Sequence, residues 1–109
     1  MLPEPPARTV FSYDSAASLL PEVRRLTEEA VLLVDAARAA GEGPEVEERV
    51  HAIVADWAEA MIDRGLEVKG LWLVDFDNGQ GYYCWRYPEA GLDYFHTYEE
   101  GFRGRMRIQ

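Results

Sequence analysis

The chain has 109 residues, of which 48% are apolar and 28% charged, and a formal net charge of -9 at pH 7. This fits one globular domain with a core of its own, and no apolar run approaches the roughly 18 residues of a membrane span, so no membrane partner is expected. The acidic balance also argues against nucleic acid as the main partner, because that binding is driven by cations that neutralise phosphates.

Residues 1–10, MLPEPPARTV, hold three of the six prolines and read as an irregular arm. They lack the basic start and apolar stretch of a secretory signal. Ser12 then reads as a helix N-cap, its hydroxyl free to accept from the open amides of the first turn, and Asp14 suits the positive end of the helix dipole. Pro21 predicts a kink or a fresh start, since it cannot donate to the previous turn. From Leu19 the residues Leu19, Val23, Leu26, Ala30, Leu33, Ala37 and Ala40 form one helical stripe. Its alanines let a partner helix approach closely.

Gly41-Glu42-Gly43-Pro44 ends that helix. A second helix carries Val46, Val50, Ile53, Trp57 and Ala60 inward, has acid in its first turn, and ends at Arg64 with Gly65 as a left-handed cap. The short connection makes an antiparallel hairpin. Residues 1–70 carry 7 basic and 14 acidic side chains, against 4 and 6 in the remainder, which marks the acid as a solvated helical face.

The period then changes from helical to strand-like. Leu66 to Lys69 reads as a short extended piece, and Leu71 to Phe76 as a strand. Asn78-Gly79 is a two-residue hairpin turn, which sets Asp75 opposite Tyr82 and Leu73 opposite Cys84. Pro88 to Gly91 makes a second turn and sets Arg86 opposite Asp93 and Cys84 opposite Phe95. Alternation then sorts the residues onto two faces. Trp72, Val74, Phe76, Tyr83, Trp85, Tyr87, Leu92, Tyr94, His96 and Tyr98 form an aromatic face for the helices. Leu71, Leu73, Asp75, Tyr82, Cys84, Arg86, Asp93 and Phe95 form a mixed face. A one-residue slip at either turn exchanges these sets.

The predicted fold is α+β: an antiparallel helical hairpin packed on a three-stranded antiparallel β-meander. Its single domain divides into the arm 1–10, the hairpin 11–64, the meander 66–98 and a basic tail 99–109. The run Gly65 to Gly70, with Leu73-Val74-Asp75-Phe76, Tyr83-Cys84-Trp85-Arg86, Tyr94-Phe95-His96 and Gly101-Phe102-Arg103-Gly104-Arg105, resembles the bacterial domain-of-unknown-function family numbered 2203. The opening Phe11-Ser12 with Leu19-Leu20-Pro21 is similar to that family's start. The resemblance implies a compact cytosolic bacterial protein, helical in front and β-rich behind, and it implies no activity. Two departures stand out: Phe95 replaces the family's usual tryptophan, so an indole nitrogen there is dispensable, and the ending Met106 to Gln109 differs.

Several residues invite a chemical reading. Cys84 with His96 is a nucleophile and base only if the two meet, and the expected register points them to opposite faces. The simpler reading is a buried inert cysteine. A metal site needs three or four converging ligands. Cys84 with Asp75, or His96 with Glu99 or Glu100, gives two each, so neither a metal nor another cofactor is expected, and no catalytic residue is assigned. His51 reads as a surface histidine.

The polar set Lys69, Asp75, Arg86 and His96 is the candidate ligand site, with Arg86 able to orient an anion through its planar fork. A cross-strand ion pair of Arg86 with Asp75 or Asp93 is the structural alternative. Leu71, Leu73, Cys84 and Phe95 form the candidate interface of a homodimer, since an exposed apolar face needs cover. Arg103, Arg105 and Arg107 read as a tail that pairs with the acidic helices or stays disordered, more than as a nucleic-acid arm. The lone cysteine points to a reducing, cytoplasmic compartment. Together these features predict a non-enzymatic binding or assembly module that forms a homodimer, with a small-ligand-binding protein or enzyme as the alternative.

Overall fold

The structure, a computed structural model, describes residues 8–109. Most of the expected proline-rich arm lies outside the described residues. Where the chain enters the fold, the Phe11 amide donates to the Asp77 carbonyl at 2.7 Å, and the Phe11 ring meets Phe76 edge-on.

Ser12 caps α1 (Tyr13–Ala40). Its hydroxyl accepts from the Ser15 amide at 3.0 Å, and the Ser15 hydroxyl accepts from the Ser12 amide at 3.0 Å, a reciprocal capping box. The helix runs on through Pro21, so no fresh helix starts there. Ala16, Leu20 and Val23 are buried on either side of the proline and anchor both segments to the core. The buried face is also rotated from the expected stripe. Leu33 is 56% exposed, and Thr27 takes a core place. The Thr27 hydroxyl is fully engaged there: it donates to the Val23 carbonyl at 2.7 Å and accepts from the Trp57 indole at 2.9 Å.

Pro44 begins α2 (Pro44–Asp63), with Glu45 and Glu47 in its first turn. Contacts of Arg38 with Glu47, Thr27 with Trp57 and Glu22 with Arg64 run in opposite chain directions, so the hairpin is antiparallel. Gly65, at φ +88°, ends α2. The Gly65 amide donates to the Ile62 carbonyl at 2.9 Å and the Leu66 amide to that of Met61 at 3.1 Å, which closes a Schellman motif over the buried pair Leu66 and Met61.

Five antiparallel strands follow in simple meander order: β1 (Glu67–Gly70), β2 (Leu73–Asp77), β3 (Tyr82–Arg86), β4 (Tyr94–His96) and β5 (Met106–Arg107). The sheet therefore has two strands beyond the three expected, one at each edge. The tail is not a free arm: a 3₁₀ turn at Phe102–Gly104 brings it back to pair with β4. Trp72, between β1 and β2, holds a left-handed φ of +46° and packs edge-on against Trp57. The helices cover one face of the sheet, where Val74, Phe76 and Trp85 meet Val23, Trp57 and Met61 in one core.

Both turns depart from the expected registers. Asn78 does not sit in a two-residue turn. Its side-chain oxygen accepts from the Gln80 and Gly81 amides at 2.9 and 2.8 Å, which draws all of residues 78–81 into the loop. Asp77 then pairs with Tyr82 and Asp75 with Cys84, a shift of two that leaves the faces unchanged. The β3–β4 connection differs by one. Cys84 pairs with Tyr94, Tyr83 with Phe95 and Tyr82 with His96. Its cause is Glu89, whose carboxylate accepts from the Arg86 amide at 2.8 Å and whose carbonyl accepts from the Trp85 indole at 2.9 Å. These bonds set the length of the loop. The odd shift turns Tyr94 and His96 away from the helices and puts Phe95 on the helix side, the reverse of the expected assignment.

Thr27→Val tests the buried polar bond at the centre of the hairpin. It keeps the shape and removes the acceptor, so the Trp57 indole is left unpaired. Urea unfolding should show a loss of about 1–3 kcal/mol with an unchanged denaturant slope.

Candidate functional site

The side of the sheet away from the helices carries a cleft of about 310 Å³. Asp75, Cys84 and His96 line its floor, from three adjacent strands. Leu73, Tyr82, Tyr98 and Phe102 wall it, and Lys69, Glu100 and Gly101 complete its lining. Alternation on β2 and β3 puts Asp75 and Cys84 on this face, and the register of β4 brings His96 to them. Gly81 lets the backbone of β4 come close, since a Cβ there would stand 2.5 Å from the His96 carbonyl oxygen.

The Asp75 and His96 side chains are nearly fully buried, with Asp75 Oδ2 2.9 Å from His96 Nε2. His96 Nδ1 lies 2.8 Å from the Thr97 carbonyl oxygen, which can only accept, so Nδ1 carries a proton. One further proton is then shared between Nε2 and Oδ2. Burial, above all, raises the Asp75 carboxyl from its ordinary range, against the opposing pull of the His96 charge. Burial likewise pushes the Cys84 thiol up to about 12, with the Asp75 carboxylate adding to it. Cys84 stands beside that carboxylate, yet among the described residues no directed hydrogen bond reaches Asp75 Oδ1, which is buried.

Asp77, two residues on along the same strand face, shows the contrast. It is 3% exposed, and its carboxylate accepts from the Tyr98 hydroxyl at 2.7 Å, the Gly79 amide at 2.9 Å and Arg8 at 2.7 Å. The Tyr82 hydroxyl donates to Glu67 at 3.1 Å, and burial together with that carboxylate pushes it up to about 12. Lys69 pairs with the same Glu67 at 3.2 Å and lies over the Tyr82 ring. On the far side, Arg105 pairs with Glu89 at 2.8 Å and lies 4.0 Å from the Tyr94 ring centre and 4.1 Å from that of Phe102.

Of the predicted ligand set, the cleft unites Lys69, Asp75 and His96 and leaves out Arg86. Arg86 is exposed, lies opposite Leu73, makes no ion pair among the described residues, and sets its guanidinium over Phe102. The four predicted interface residues do not form a patch. Leu71 is exposed in the β1–β2 turn, Leu73 walls the cleft, Cys84 is at its floor, and Phe95 faces the helix side. The expected separation of Cys84 from His96 is overturned by the β4 register, and with it the count of two metal-type ligands. Asp75, Cys84 and His96 are three buried groups whose donor atoms all lie within 4.8 Å of one another. Of the three tail arginines, Arg105 pairs with Glu89 in a strand connection and Arg107 reaches the Tyr94 hydroxyl, and none pairs with the helices among the described residues. Tyr82, Phe102 and Arg105 were missed as site residues, although the last two stand in the Gly-Phe-Arg-Gly-Arg run that the sequence sets apart.

The sequence model of the family described as an uncharacterized conserved protein, DUF2203, matches residues 9–108, and the chain belongs to that family. Neither a curated protein nor a solved structure matches it. Among the described residues, no helix is long and apolar enough to cross a membrane.

The two carboxylates of β2 should respond differently to the same change. Asp77→Asn weakens charge-assisted bonds and should cost about 1.5–3 kcal/mol in chemical unfolding, mostly from the tyrosine and amide partners because Arg8 is exposed. Asp75→Asn removes a buried charge while its amide can still donate to Nε2 of a neutral His96. Its stability should stay within about 1 kcal/mol of the parent.

Proposed function

We propose that this protein is a small-ligand-binding module whose site is the cleft over Asp75, Cys84 and His96, and that its ligand is a small planar molecule with a polar edge. The observation that carries this reading is the buried Asp75–His96 pair beneath the cleft. A buried ion pair is a weak device for stability, because desolvation offsets its attraction. Its place under an open cleft gives it a different use. The walls support the ligand class, since Tyr82, Tyr98 and Phe102 line the cleft with aromatic rings while Lys69 and Glu100 bring a donor and an acceptor to its lining. A binding role fits the groups better than nucleophilic catalysis does. The thiol is pushed up to about 12, and both nitrogens of His96 are engaged. We also place the protein in the cytoplasm, on the strength of its single free cysteine.

Amide-resolved NMR titration with indole, benzimidazole, nicotinamide and benzoate tests this. At least one probe should give saturable shifts centred on Tyr82, Gly101 and Phe102, and Phe102→Ala should weaken that binding by about tenfold. Saturation by none of the four, or shifts confined to the helices, overturns the reading.

A homodimer is a second proposal, and its surface differs from the one the sequence indicated. Leu33, 56% exposed, borders an apolar groove lined by Leu26, Ile53 and Trp57 on the helical hairpin. Sedimentation at micromolar concentration should give a dimer for the parent and a monomer for Leu33→Glu. A monomeric parent removes this proposal.

A further inference from the structure

We infer that Asp75, Cys84 and His96 form a binding site for one divalent transition-metal ion of the zinc type, with a fourth coordination position open to the cleft. The inference rests on the cleft floor being the functional site, and it names what the floor itself holds.

Four observations carry it. Carboxylate, thiolate and imidazole together form a mixed oxygen, sulfur and nitrogen set suited to a borderline-soft ion such as Zn²⁺. Their donor atoms already lie within 4.8 Å of one another, a spread that small side-chain movements bring to the roughly 2.0–2.3 Å bonds of zinc. His96 Nδ1 donates to the Thr97 carbonyl at 2.8 Å, which aims Nε2 into the cluster, as the outer partner of a metal-bound histidine does. Asp75 Oδ1 is buried and unpartnered, and the residue as a whole is 1% exposed. A cation held among the three side chains would give that carboxylate the partner it lacks.

The electrostatic setting is compatible. Lys69 is paired with Glu67 and Arg105 with Glu89, and what remains of their charge favours the ionised Asp75 and Cys84 that a cation needs. A carboxylate and a thiolate balance the two charges of the ion. Binding displaces the proton shared by Asp75 and His96 and the thiol proton of Cys84, and both pass to solvent. Three protein ligands with an open fourth position leave room for a water or a ligand donor, unlike the closed four-ligand sets of structural zinc.

Cobalt(II) added to the full chain after chelator treatment is the test. One equivalent should bind with the visible bands of a tetrahedral site and a near-ultraviolet thiolate-to-cobalt band, and one equivalent of Zn²⁺ should displace it. Cys84→Ser should lose the thiolate band, and Asp75→Asn, chosen because it should fold, should weaken binding beyond the about 10–100-fold typical of an outer-partner change. Circular dichroism checks that each variant is folded. Absence of the bands in folded parent protein, or bands that persist in Cys84→Ser, overturns the inference. Ring-probe binding in the cleft of metal-free protein, with no cobalt spectrum, ends the metal inference alone. A cobalt spectrum that depends on Cys84 and Asp75, with no ring-probe binding, supports the metal site and ends the reading of the cleft as a planar-ligand pocket.

Discussion

The pairing of Tyr82 with His96 is the constraint from which the geometry of the cleft follows. Strand side chains alternate with a period of two, so an odd offset in one strand exchanges everything it presents to either face. In this register His96 reaches Asp75 across β3 and stands beside Cys84. One residue the other way, it would face the helices. Three features hold the offset. Gly81 lets the β4 backbone come closer than any side chain would allow. Glu89 fixes the length of the preceding loop through the Arg86 amide and the Trp85 indole. β5 pairs with β4 from the outer side, so the strand is held on both edges.

Beneath that constraint, the fold separates polar groups that hold structure together from those that do not. Thr27 bonds Trp57 across the hairpin, where both partners are buried and fully engaged. Asp77 gathers the N-terminal arm, the β2–β3 loop and Tyr98 onto one carboxylate. Each replaces the bonds to water that burial removed, as a stable core requires. Asp75 lies one step along the same strand face and is as deeply buried, yet one of its oxygens has no partner. A half-engaged carboxylate next to a fully engaged one is a local choice made at Asp75, not a general looseness of the sheet.

The helical half of the fold was largely legible in the sequence, because its signals are local. The Ser12 cap, the Gly41–Pro44 break and the Gly65 stop all depend on a few neighbouring residues. The α1 stripe was misplaced at Leu33 and Thr27, since a threonine that bonds inside the core looks polar to a pattern of apolar spacing. The sheet was legible as a meander and less so in detail. Whether a turn holds two residues or four depends on the Asn78 side chain, and the β4 offset depends on Glu89 and Gly81. None of these shows in alternation alone. The site was half legible for the same reason. Lys69, Asp75 and His96 were named, but Arg86 was included by charge, and Cys84 was set apart from His96 by the single-residue error. The fifth strand escaped because two residues of β5 carry no periodicity.

The charges around the cleft settle one further point. Three cations near it are tied to carboxylates, Lys69 to Glu67, Arg105 to Glu89 and Arg8 to Asp77, whereas Arg86, over the Phe102 ring, makes no ion pair among the described residues. Arg105 is further held by the rings of Tyr94 and Phe102, and from there its charge bears on Cys84 and favours the thiolate. The charge at the floor is decided by the one proton between Asp75 and His96 and by whatever enters beside Cys84. The C-terminal segment, which supplies Phe102 and Arg105, is thus a wall of the site and the source of a positive charge beside Cys84.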